Sequence, residues 1–369
     1  MIKLVNLQRE FLEIREEVMR AIEGVCESGS FILGENVEAF EREFCEYIGC
    51  RFGCGVNSGT DALRIALEAC GVGEGDEVVT VSHTFIATAD AIRMVRAKPV
   101  FVDIDQKTYN MDVSKLERAI NKKTKAVIPV HIYGQPAALD EIREICDKHS
   151  LLLIQDACQA HGALYKGKKL GEYGDVLCYS FYPSKDLGAY GDAGLIATNL
   201  DEVAERTKML RNYGQSKKYH HDFLGYNSRL DELQAAVLRV KLKKLEHWIE
   251  KRRQAAKRYN ELLSEVVLTP FENPLARHVY YLYVIQTQNR DRIREQLLKH
   301  GIETGVHYPV PVHLQKSYQD FRVSLPVTEH VSQRILSLPL DPFITEEEQE
   351  RVCYSLRKML LTTTYEGYN

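Results

Sequence analysis

Residues 77 to 154 alternate between short apolar runs and amphipathic segments, and this alternation most limits the possible folds. The amphipathic segments have helical periodicity, and the apolar runs have the length of buried strands. The apolar runs span 78–81, 100–102, 126–130 and 151–154, and the helical segments between them span 85–95, 113–120 and 139–149. Strands that alternate with helices in this way predict right-handed βαβ units and a mainly parallel sheet.

The flanking segments extend this prediction to the whole chain. Helical spacing of apolar side chains predicts further helices from Leu7 onward, over 37–47, over 62–70, over 203–210, and from Leu230 to about Tyr259. We interpret the charged run 241–258 as a solvated face of the last helix. A strand over 280–287 and a helix over 290–300 indicate a smaller α+β unit. We therefore predict an α/β fold in which a large domain (1–245) holds a mainly parallel sheet sandwiched by helices, followed by a smaller C-terminal α+β domain (246–369).

Composition argues against several functional classes. A net charge of -4 gives no reason to expect nucleic acid or an anionic membrane as a partner. The sequence contains no apolar run long enough for a membrane span, and its amino terminus lacks the apolar core of a signal peptide. Nine scattered cysteines fit a reducing compartment, so we predict a cytoplasmic protein. Cys50 and Cys54 form the closest pair, but no paired cysteine–histidine set follows, so we predict no metal site.

A lysine and an acid each follow a predicted buried strand. Asp156 comes after the run 151–154, and Lys185 comes shortly after a second run at 176–179. Chemistry in open parallel sheets collects at the carboxyl ends of strands. A pyridine aldehyde cofactor would need this pair, because the lysine forms its Schiff base and the acid keeps the ring nitrogen protonated. A surface ion pair is the simpler alternative for an isolated Lys–Asp pair.

Two further stretches are candidates for ligand contacts. The turn 56–61 leads into the predicted helix 62–70, and its free N–H groups would suit a phosphate, although capping by Ser58 explains the same helix start. The stretch 307–313 contains two histidines and a tyrosine between prolines. Prolines exclude a helix interior there, so this stretch is either a stiff ligand-binding loop or a rigid packing element.

These motifs, taken in their order and spacing, closely resemble the DegT family of nucleotide-sugar aminotransferases, within the fold type I superfamily of pyridoxal 5'-phosphate (PLP) enzymes. The resemblance covers nearly the whole chain. It rests on NSGTDAL at 57–63, QDACQAHGA at 155–163, SFYPSKDLG at 180–188, LRNYGQ at 210–215 and NSRLDELQAAVL at 227–238. Ala193 departs from the family, where many members have a second glycine, but this change removes no reacting group.

The resemblance implies a role for each matching residue. Lys185 and Asp156 are expected to be catalytic, as the Schiff-base lysine and the partner of the ring nitrogen. PLP would also be contacted through its phosphate, ring face or ring hydroxyl by Gly59, Thr60, Phe85, Gln159, Ser180 and Asn227. Asn227 is expected to reach the phosphate of a partner subunit, which implies a homodimer with shared active sites. The sugar nucleotide or glutamate would be bound by Arg211, Tyr213, Arg229, His307, Tyr308 and His313.

The expected reaction is transfer of an amino group from glutamate to a nucleotide-linked keto sugar. The segment HYPVPVHL at 307–314 resembles members that aminate C-3 of a dTDP-3-keto-6-deoxyhexose, more than those that act on a 4-keto sugar at C-4. A non-catalytic PLP-binding regulator is a different interpretation, but the sequence has no basic DNA-binding appendage to support it. A structural protein with a vestigial site is opposed by the presence together of Lys185, Asp156 and Gln159.

Overall fold

The computed structural model describes residues 1–365 and confirms the predicted fold class. The helices are α1 Leu7–Ser28, α2 Glu35–Ile48, α3 Gly59–Ala69, α4 Ala87–Met94, α5 Val113–Ala119, α6 Leu139–His149, α7 Asp201–Leu210, α8 Glu232–Leu242, α9 Leu245–Leu263, α10 Arg290–Lys299, α11 Pro326–Ser332 and α12 Glu346–Tyr365. The strands are β1 Phe52–Val56, β2 Glu77–Val81, β3 Lys98–Val102, β4 Thr124–Ile128, β5 Leu152–Asp156, β6 Leu164–Tyr165, β7 Lys168–Lys169, β8 Val176–Ser180, β9 Gly194–Thr198, β10 Gln215–Lys217, β11 His220–His221, β12 Ala276–Arg277, β13 Tyr283–Gln286 and β14 Ile335–Leu338.

Seven of the described strands form the main sheet in the order β1-β9-β8-β5-β4-β2-β3. Neighbouring strands from β8 to β3 are parallel, and β9 runs antiparallel to both β8 and β1. Asp156, at the end of β5, pairs with Cys178 of β8, so the carboxyl ends of these two strands lie side by side. This arrangement brings Asp156 close to the start of the loop that carries Lys185.

Helices cover both faces of the sheet, because successive residues of its buried strands point to opposite sides. Ile154 and Cys178 pack into a core with α3, while Leu177 joins the core formed with α2 and α8 on the other face. Leu153 contributes to a third core beside α6. Burial on both faces explains why these strands read as continuous apolar runs in the sequence.

The C-terminal part has its own core around the antiparallel pair β13–β14. Helices α9, α10 and α12 pack on this pair. The first residues of the chain also belong to this region, since the Ile2 N–H donates to the Gly301 carbonyl at 2.8 Å. The predicted boundary between residues 245 and 246 stays a prediction, and it leaves this N-terminal contact out.

Two predictions about the segment 230–259 were wrong. The predicted single helix is two helices, because α8 ends at Leu242 and α9 begins at Leu245 without any proline or glycine between them. The charged run is also not a uniformly solvated face. Lys241 is buried in an ion pair with Glu10, and the Arg252 Nε lies 3.0 Å from the Asp186 Oδ1. A buried charge is stable only with such a partner.

The polar stretch that follows α7 is largely exposed, as its composition indicates, but it is not structureless. Strands β10 and β11 form a short antiparallel hairpin within it. Within residues 1–365, no helix combines the length and the apolar character that crossing a bilayer requires. The same residues contain no cluster of three or more His, Cys, Asp or Glu side chains that could hold a metal ion.

Candidate active site

A cavity of about 470 Å³ opens at the carboxyl ends of β5 and β8. The predicted residues that line it are Gly59, Thr60, Phe85, Asp156, Gln159, Ser180, Lys185 and Tyr308. They come from separate parts of the sequence and meet because parallel strands end at one edge of the sheet. A larger depression of about 740 Å³ lies beside β13 and α10, but none of the predicted residues reaches it.

Lys185 extends into this cavity from the loop after β8. Its Nζ lies 4.5 Å from the ring centroid of Tyr281, and no described residue forms a hydrogen bond or ion pair with that amine. Burial lowers the pKa of Lys185, but Tyr281, Tyr308 and Asp156 raise it, and the net shift is upward. The pair Lys185–Asp156 is therefore not a surface ion pair, and the amine is available to a ligand.

Asp156 is buried in the cavity lining and is held by two donors. Thr88 Oγ1 donates to its Oδ2 at 2.7 Å, and the backbone N–H of Cys158 donates to its Oδ1 at 3.2 Å. These hydrogen bonds fix the carboxylate without neutralising it. Asp156 can therefore hold a protonated ring nitrogen by charge and by hydrogen bonding.

The amino terminus of α3 forms a polar corner of the same cavity. Ser58 caps the helix by accepting a hydrogen bond from the Asp61 N–H at 3.1 Å, so the capping interpretation is also correct. The N–H groups of Gly59 and Thr60 have no intrahelical acceptor, and they lie beside Ser180. A Cβ on Gly59 would lie 2.5 Å from the Ser180 Cβ, so only glycine fits this approach. The corner is suited to a phosphate group.

Gln159, Phe85 and Tyr308 form the remaining predicted walls. The Gln159 Oε1 accepts a hydrogen bond from the backbone N–H of Tyr133 at 2.7 Å, and its Nε2 donates to the Tyr308 hydroxyl at 3.3 Å. The rings of Phe85 and Tyr308 lie 5.7 Å apart, and Phe85 is 53% exposed toward the cavity mouth. An aromatic ring in this position can stack on a planar cofactor.

Five of the six predicted substrate residues lie outside the cavity lining, and three of these, Arg211, His307 and His313, contact other parts of the protein. Arg211 is buried in an ion pair with Glu41 and donates to the Gly55 carbonyl at 2.8 Å. His313 is completely buried between Ser82 and Glu329. His307 accepts or donates through its Nδ1 to Ser337 at 2.8 Å. The structure therefore does not bring Arg211, His307 and His313 into the cavity, and their role in substrate binding stays a prediction.

The predicted contacts after α7 lie on the exposed hairpin region. Asn227 is exposed and pairs with Asn212 in an isolated bridge. The Arg229 guanidinium donates to the Asn212 Oδ1 at 3.1 Å and lies 5.6 Å from the ring centroid of Tyr213. None of these side chains lines the cavity of their own chain. An exposed position for Asn227 is compatible with a contact to a second subunit.

The sequence analysis missed several residues at the site. Tyr281 stands against Lys185, Thr88 holds Asp156, and Cys158 lines the cavity. Thr88 and Tyr281 lie inside a predicted helix and a predicted strand, where no residue-type signal separates them from ordinary packing residues. Cys158 lies within the QDACQAHGA motif, two positions after Asp156, and could have been found there.

PLP fits this set of groups. A free lysine amine, a buried carboxylate, an aromatic face and a helix amino terminus meet the needs of its aldehyde, ring nitrogen, ring and phosphate respectively. Because position 59 is a glycine, no side chain from that residue fills the space between the start of α3 and Ser180.

Comparison with known proteins places the whole chain in one family. The DegT/DnrJ/EryC1/StrS aminotransferase family matches residues 12–357. The chain is 45% identical to a Geobacillus stearothermophilus "Pleiotropic regulatory protein", covering 95% of this chain and 96% of the relative. It is 42% identical to a UDP-N-acetyl-3-dehydro-alpha-D-glucosamine 3-aminotransferase of Acidithiobacillus ferrooxidans (97% and 98% covered). It is also 42% identical to a dTDP-3-amino-3,6-dideoxy-alpha-D-galactopyranose transaminase of Aneurinibacillus thermoaerophilus (97% and 99% covered).

Solved structures agree with this match. The crystal structure of S. venezuelae DesV in complex with a ketimine intermediate superposes with a TM-score of 0.95 at 41% identity, covering 97% of this chain and 98% of DesV. On these grounds the chain belongs to the DegT/DnrJ/EryC1/StrS aminotransferase family of PLP-dependent nucleotide-sugar transaminases.

Proposed function

We propose that this protein transfers an amino group from L-glutamate to C-3 of a nucleotide-linked keto sugar. The proposed acceptor is dTDP-3-keto-6-deoxyhexose, which gives dTDP-3-amino-3,6-dideoxyhexose. The observation that carries the proposal is one cavity in which the unpaired amine of Lys185 and the buried carboxylate of Asp156 share a floor.

The residues of this floor have separable tasks. When bound, PLP takes up the amino group and withdraws electrons from the carbon that carried it. Lys185 would be the point of covalent attachment, and its Nζ, once free, would take the α-proton of glutamate as a general base and pass it on as a general acid. In the second half of the reaction the same Nζ delivers a proton to C-3 of the sugar. Asp156 would hold the ring nitrogen through its buried carboxylate, while Gly59, Thr60 and Ser180 would hold the phosphate.

The choice of C-3 is supported by the relatives and by one residue. Two relatives that are 42% identical are named for amination at C-3, one with a UDP sugar and one with a dTDP sugar. From the segment 307–313, Tyr308 lines the cavity, and its hydroxyl accepts a hydrogen bond from Gln159. Tyr308 is therefore the residue of that segment best placed to meet a sugar hydroxyl.

Mass spectrometry of products from a substrate panel tests the proposal. The panel contains dTDP- and UDP-linked 3-keto and 4-keto sugars, each incubated with glutamate and the PLP-loaded protein. We expect the dTDP-3-keto-6-deoxy sugar to gain the amino group fastest, with no product from Lys185→Ala. Preference for a 4-keto sugar would contradict the assignment of C-3, and preference for a UDP sugar would contradict the assignment of dTDP as the nucleotide.

A homodimer with shared sites is part of this proposal. Asn227 is exposed, and the nearby hairpin region presents Tyr219 at 81% and Leu224 at 84% exposure. Large apolar side chains this exposed are typical of a surface that another chain covers. Sedimentation of the PLP-loaded protein should show a dimer, and Asn227→Ala should weaken cofactor binding. A fully active monomer would contradict the shared site.

A non-catalytic regulator is the second candidate, because the relative that is 45% identical is named a regulatory protein. The same substrate panel separates the two. A protein that binds PLP but converts neither glutamate nor any keto sugar would be such a regulator. The nine cysteines, all within the described residues, are free thiols, which supports a cytoplasmic location for either function.

A further inference from the structure

Tyr133 lies outside the cavity lining but is hydrogen-bonded to three of the cavity's walls. It is buried, with 3% of its surface exposed, and it adopts a left-handed backbone conformation (φ 58°, ψ 5°). A non-glycine residue in this region carries backbone strain, which persists only where the surroundings hold it firmly. Such residues cluster at functional sites, and the contacts of Tyr133 lead to one.

Each polar group of Tyr133 contacts a different wall. Its backbone N–H donates to the Gln159 Oε1 at 2.7 Å. Its carbonyl accepts from the Leu282 N–H at 3.4 Å, next to the residue that faces Lys185. Its hydroxyl donates to the His307 carbonyl, one residue before Tyr308. A single buried residue thus holds Gln159 directly and holds the chain neighbours of Tyr281 and Tyr308.

The direction of the hydroxyl bond is fixed by chemistry. A carbonyl can only accept, so the Tyr133 hydroxyl must donate its one hydrogen to His307. The His83 Nε2 lies 2.7 Å from the same oxygen and must therefore donate to it. Burial lowers the pKa of His83 to about 4, so this histidine is neutral near pH 7 and carries its proton on Nε2. The Tyr133 oxygen consequently has both a donor and an acceptor in fixed directions.

We propose that Tyr133 is a positioning residue for the sugar half of the reaction, which holds the segment 307–313 so that Tyr308 faces the acceptor. This inference rests on the proposed function. The backbone N–H of Tyr133 holds Gln159 independently of the side chain. The hydroxyl acts on the segment 307–313 through the His307 carbonyl, so the two contacts can be separated by experiment.

Tyr133→Phe removes the hydroxyl and keeps the backbone contacts to Gln159 and Leu282. We expect KM for the keto sugar to rise roughly tenfold, because a buried carbonyl and His83 both lose their partner. Single-turnover rates of the glutamate half-reaction and the absorption spectrum of the bound cofactor should change far less, because the Tyr133 N–H still donates to Gln159, and Thr88 and Cys158 still hold Asp156. The matched control is Tyr109→Phe. Its buried hydroxyl bonds Gln286 at 2.9 Å, and its ring centroid lies 5.8 Å from that of Tyr133.

Hydrogen exchange provides a readout that does not depend on turnover. In PLP-loaded Tyr133→Phe, the amides of 305–314 should exchange roughly tenfold faster than in the unmodified protein. The Tyr109→Phe control should leave that segment protected. Equal kinetic losses in both half-reactions, or unchanged exchange over 305–314, would overturn the positioning role. Failure of the proposed function would be recognised separately, as an unmodified protein that aminates none of the sugars.

Discussion

Residues of the floor and of the upper wall of the cavity were both predicted from the sequence. The structure places the predicted floor residues in the cavity, but it places few of the predicted upper-wall residues there. The floor consists of Asp156, Lys185, Ser180 and the start of α3, and the structure brings all of these together in one cavity. The upper wall was predicted from the segment 307–313, of which only Tyr308 lines the cavity. Its two histidines are committed to Ser337, Ser82 and Glu329.

The difference reflects how each region uses polar side chains. On the floor, Lys185 keeps an unpaired amine, a state that is costly to bury unless a ligand uses it. In the upper wall, polar groups satisfy one another and so hold the loop against the body of the protein. A polar residue in a stiff loop therefore indicates a binding site only if its hydrogen-bonding groups are left without protein partners.

Replacement of Lys185 should cause the largest loss of activity among the floor variants. Lys185→Ala should slow both half-reactions by about a thousandfold or more, because proton transfer by one positioned group contributes about 10² to 10⁴. Rapid mixing with glutamate measures the first half directly. Borohydride reduction of the PLP-loaded protein should label Lys185 and should not label Lys241, a buried lysine paired with Glu10. A label on Lys241, or turnover in the alanine variant, would contradict the catalytic role of Lys185.

Asp156→Asn should have the next largest effect. An amide keeps the size of the side chain and can still accept from Thr88, but it no longer stabilises a positive ring nitrogen. We expect both half-reactions to slow by about 10² to 10³ while PLP remains bound, since loss of one preorganised electrostatic contact has that magnitude. Thr88→Val tests the support of Asp156 and should have a smaller effect. Near-normal single-turnover rates in Asp156→Asn would mean that the carboxylate only supports the fold.

Gly59→Ala tests the phosphate corner. The added Cβ would lie 2.5 Å from the Ser180 Cβ and 3.1 Å from its Cα, so one of the two elements must shift. We expect the Kd for PLP to rise by roughly ten- to a hundredfold, the usual range of an overpacked contact. Gly24→Ala is the control, since no atom lies within 4 Å of a Cβ at that position of α1. Unchanged PLP affinity in Gly59→Ala would mean that the phosphate does not bind at the start of α3.

The floor could be predicted because the strands and the helix that carry its residues are recognisable from short stretches of sequence. Buried parallel strands produce continuous apolar runs, and their carboxyl ends converge, so Asp156 and the Lys185 loop could be placed at one edge before the structure was known. The helix start at Ser58 was similarly local. The exact ends of elements differed by a few residues, because fraying and capping depend on neighbours that a sequence does not reveal.

Long-range partners explain what could not be predicted. Arg211 reads as a basic residue in a polar stretch, yet it pairs with Glu41, which lies far away in the sequence. Lys241 and Arg252 read as a solvated charged face, yet both are buried with acids from other elements. Nothing in the local sequence distinguishes these cations from solvated ones. The role of Tyr133 was equally hidden, since its contacts are at Gln159, Leu282 and His307.

Two buried histidines allow the same comparison to be made by stability measurements. His161 lies under the floor among the rings of Phe44, Tyr179 and Phe181, and neither ring nitrogen makes a hydrogen bond of normal geometry with the described residues. His313 in the upper wall has partners on both nitrogens, because Ser82 lies 2.7 Å from Nδ1 and Glu329 lies 3.3 Å from Nε2. Burial, and to a smaller extent the charge of Lys185, lowers the pKa of His161 to about 3, while the Ser180 backbone opposes the shift.

A histidine whose folded-state pKa lies below its unfolded value of about 6.5 destabilises the protein as pH falls, since the unfolded chain binds the proton more readily. His161 should therefore cost about 1.4 kcal/mol at pH 5.5 relative to pH 8. His161→Phe should remove that part of the acid sensitivity while leaving stability at pH 8 nearly unchanged. His313→Phe should instead lower stability by about 1 to 3 kcal/mol at pH 8, because Ser82 and Glu329 lose their partner, and by less at pH 5.5, because burial also lowers the pKa of His313. Urea denaturation of both variants at pH 5.5 and pH 8 measures these changes. Two results would contradict the contrast between the unpaired His161 and the paired His313. These are full acid sensitivity in His161→Phe, or no loss of stability at pH 8 in His313→Phe.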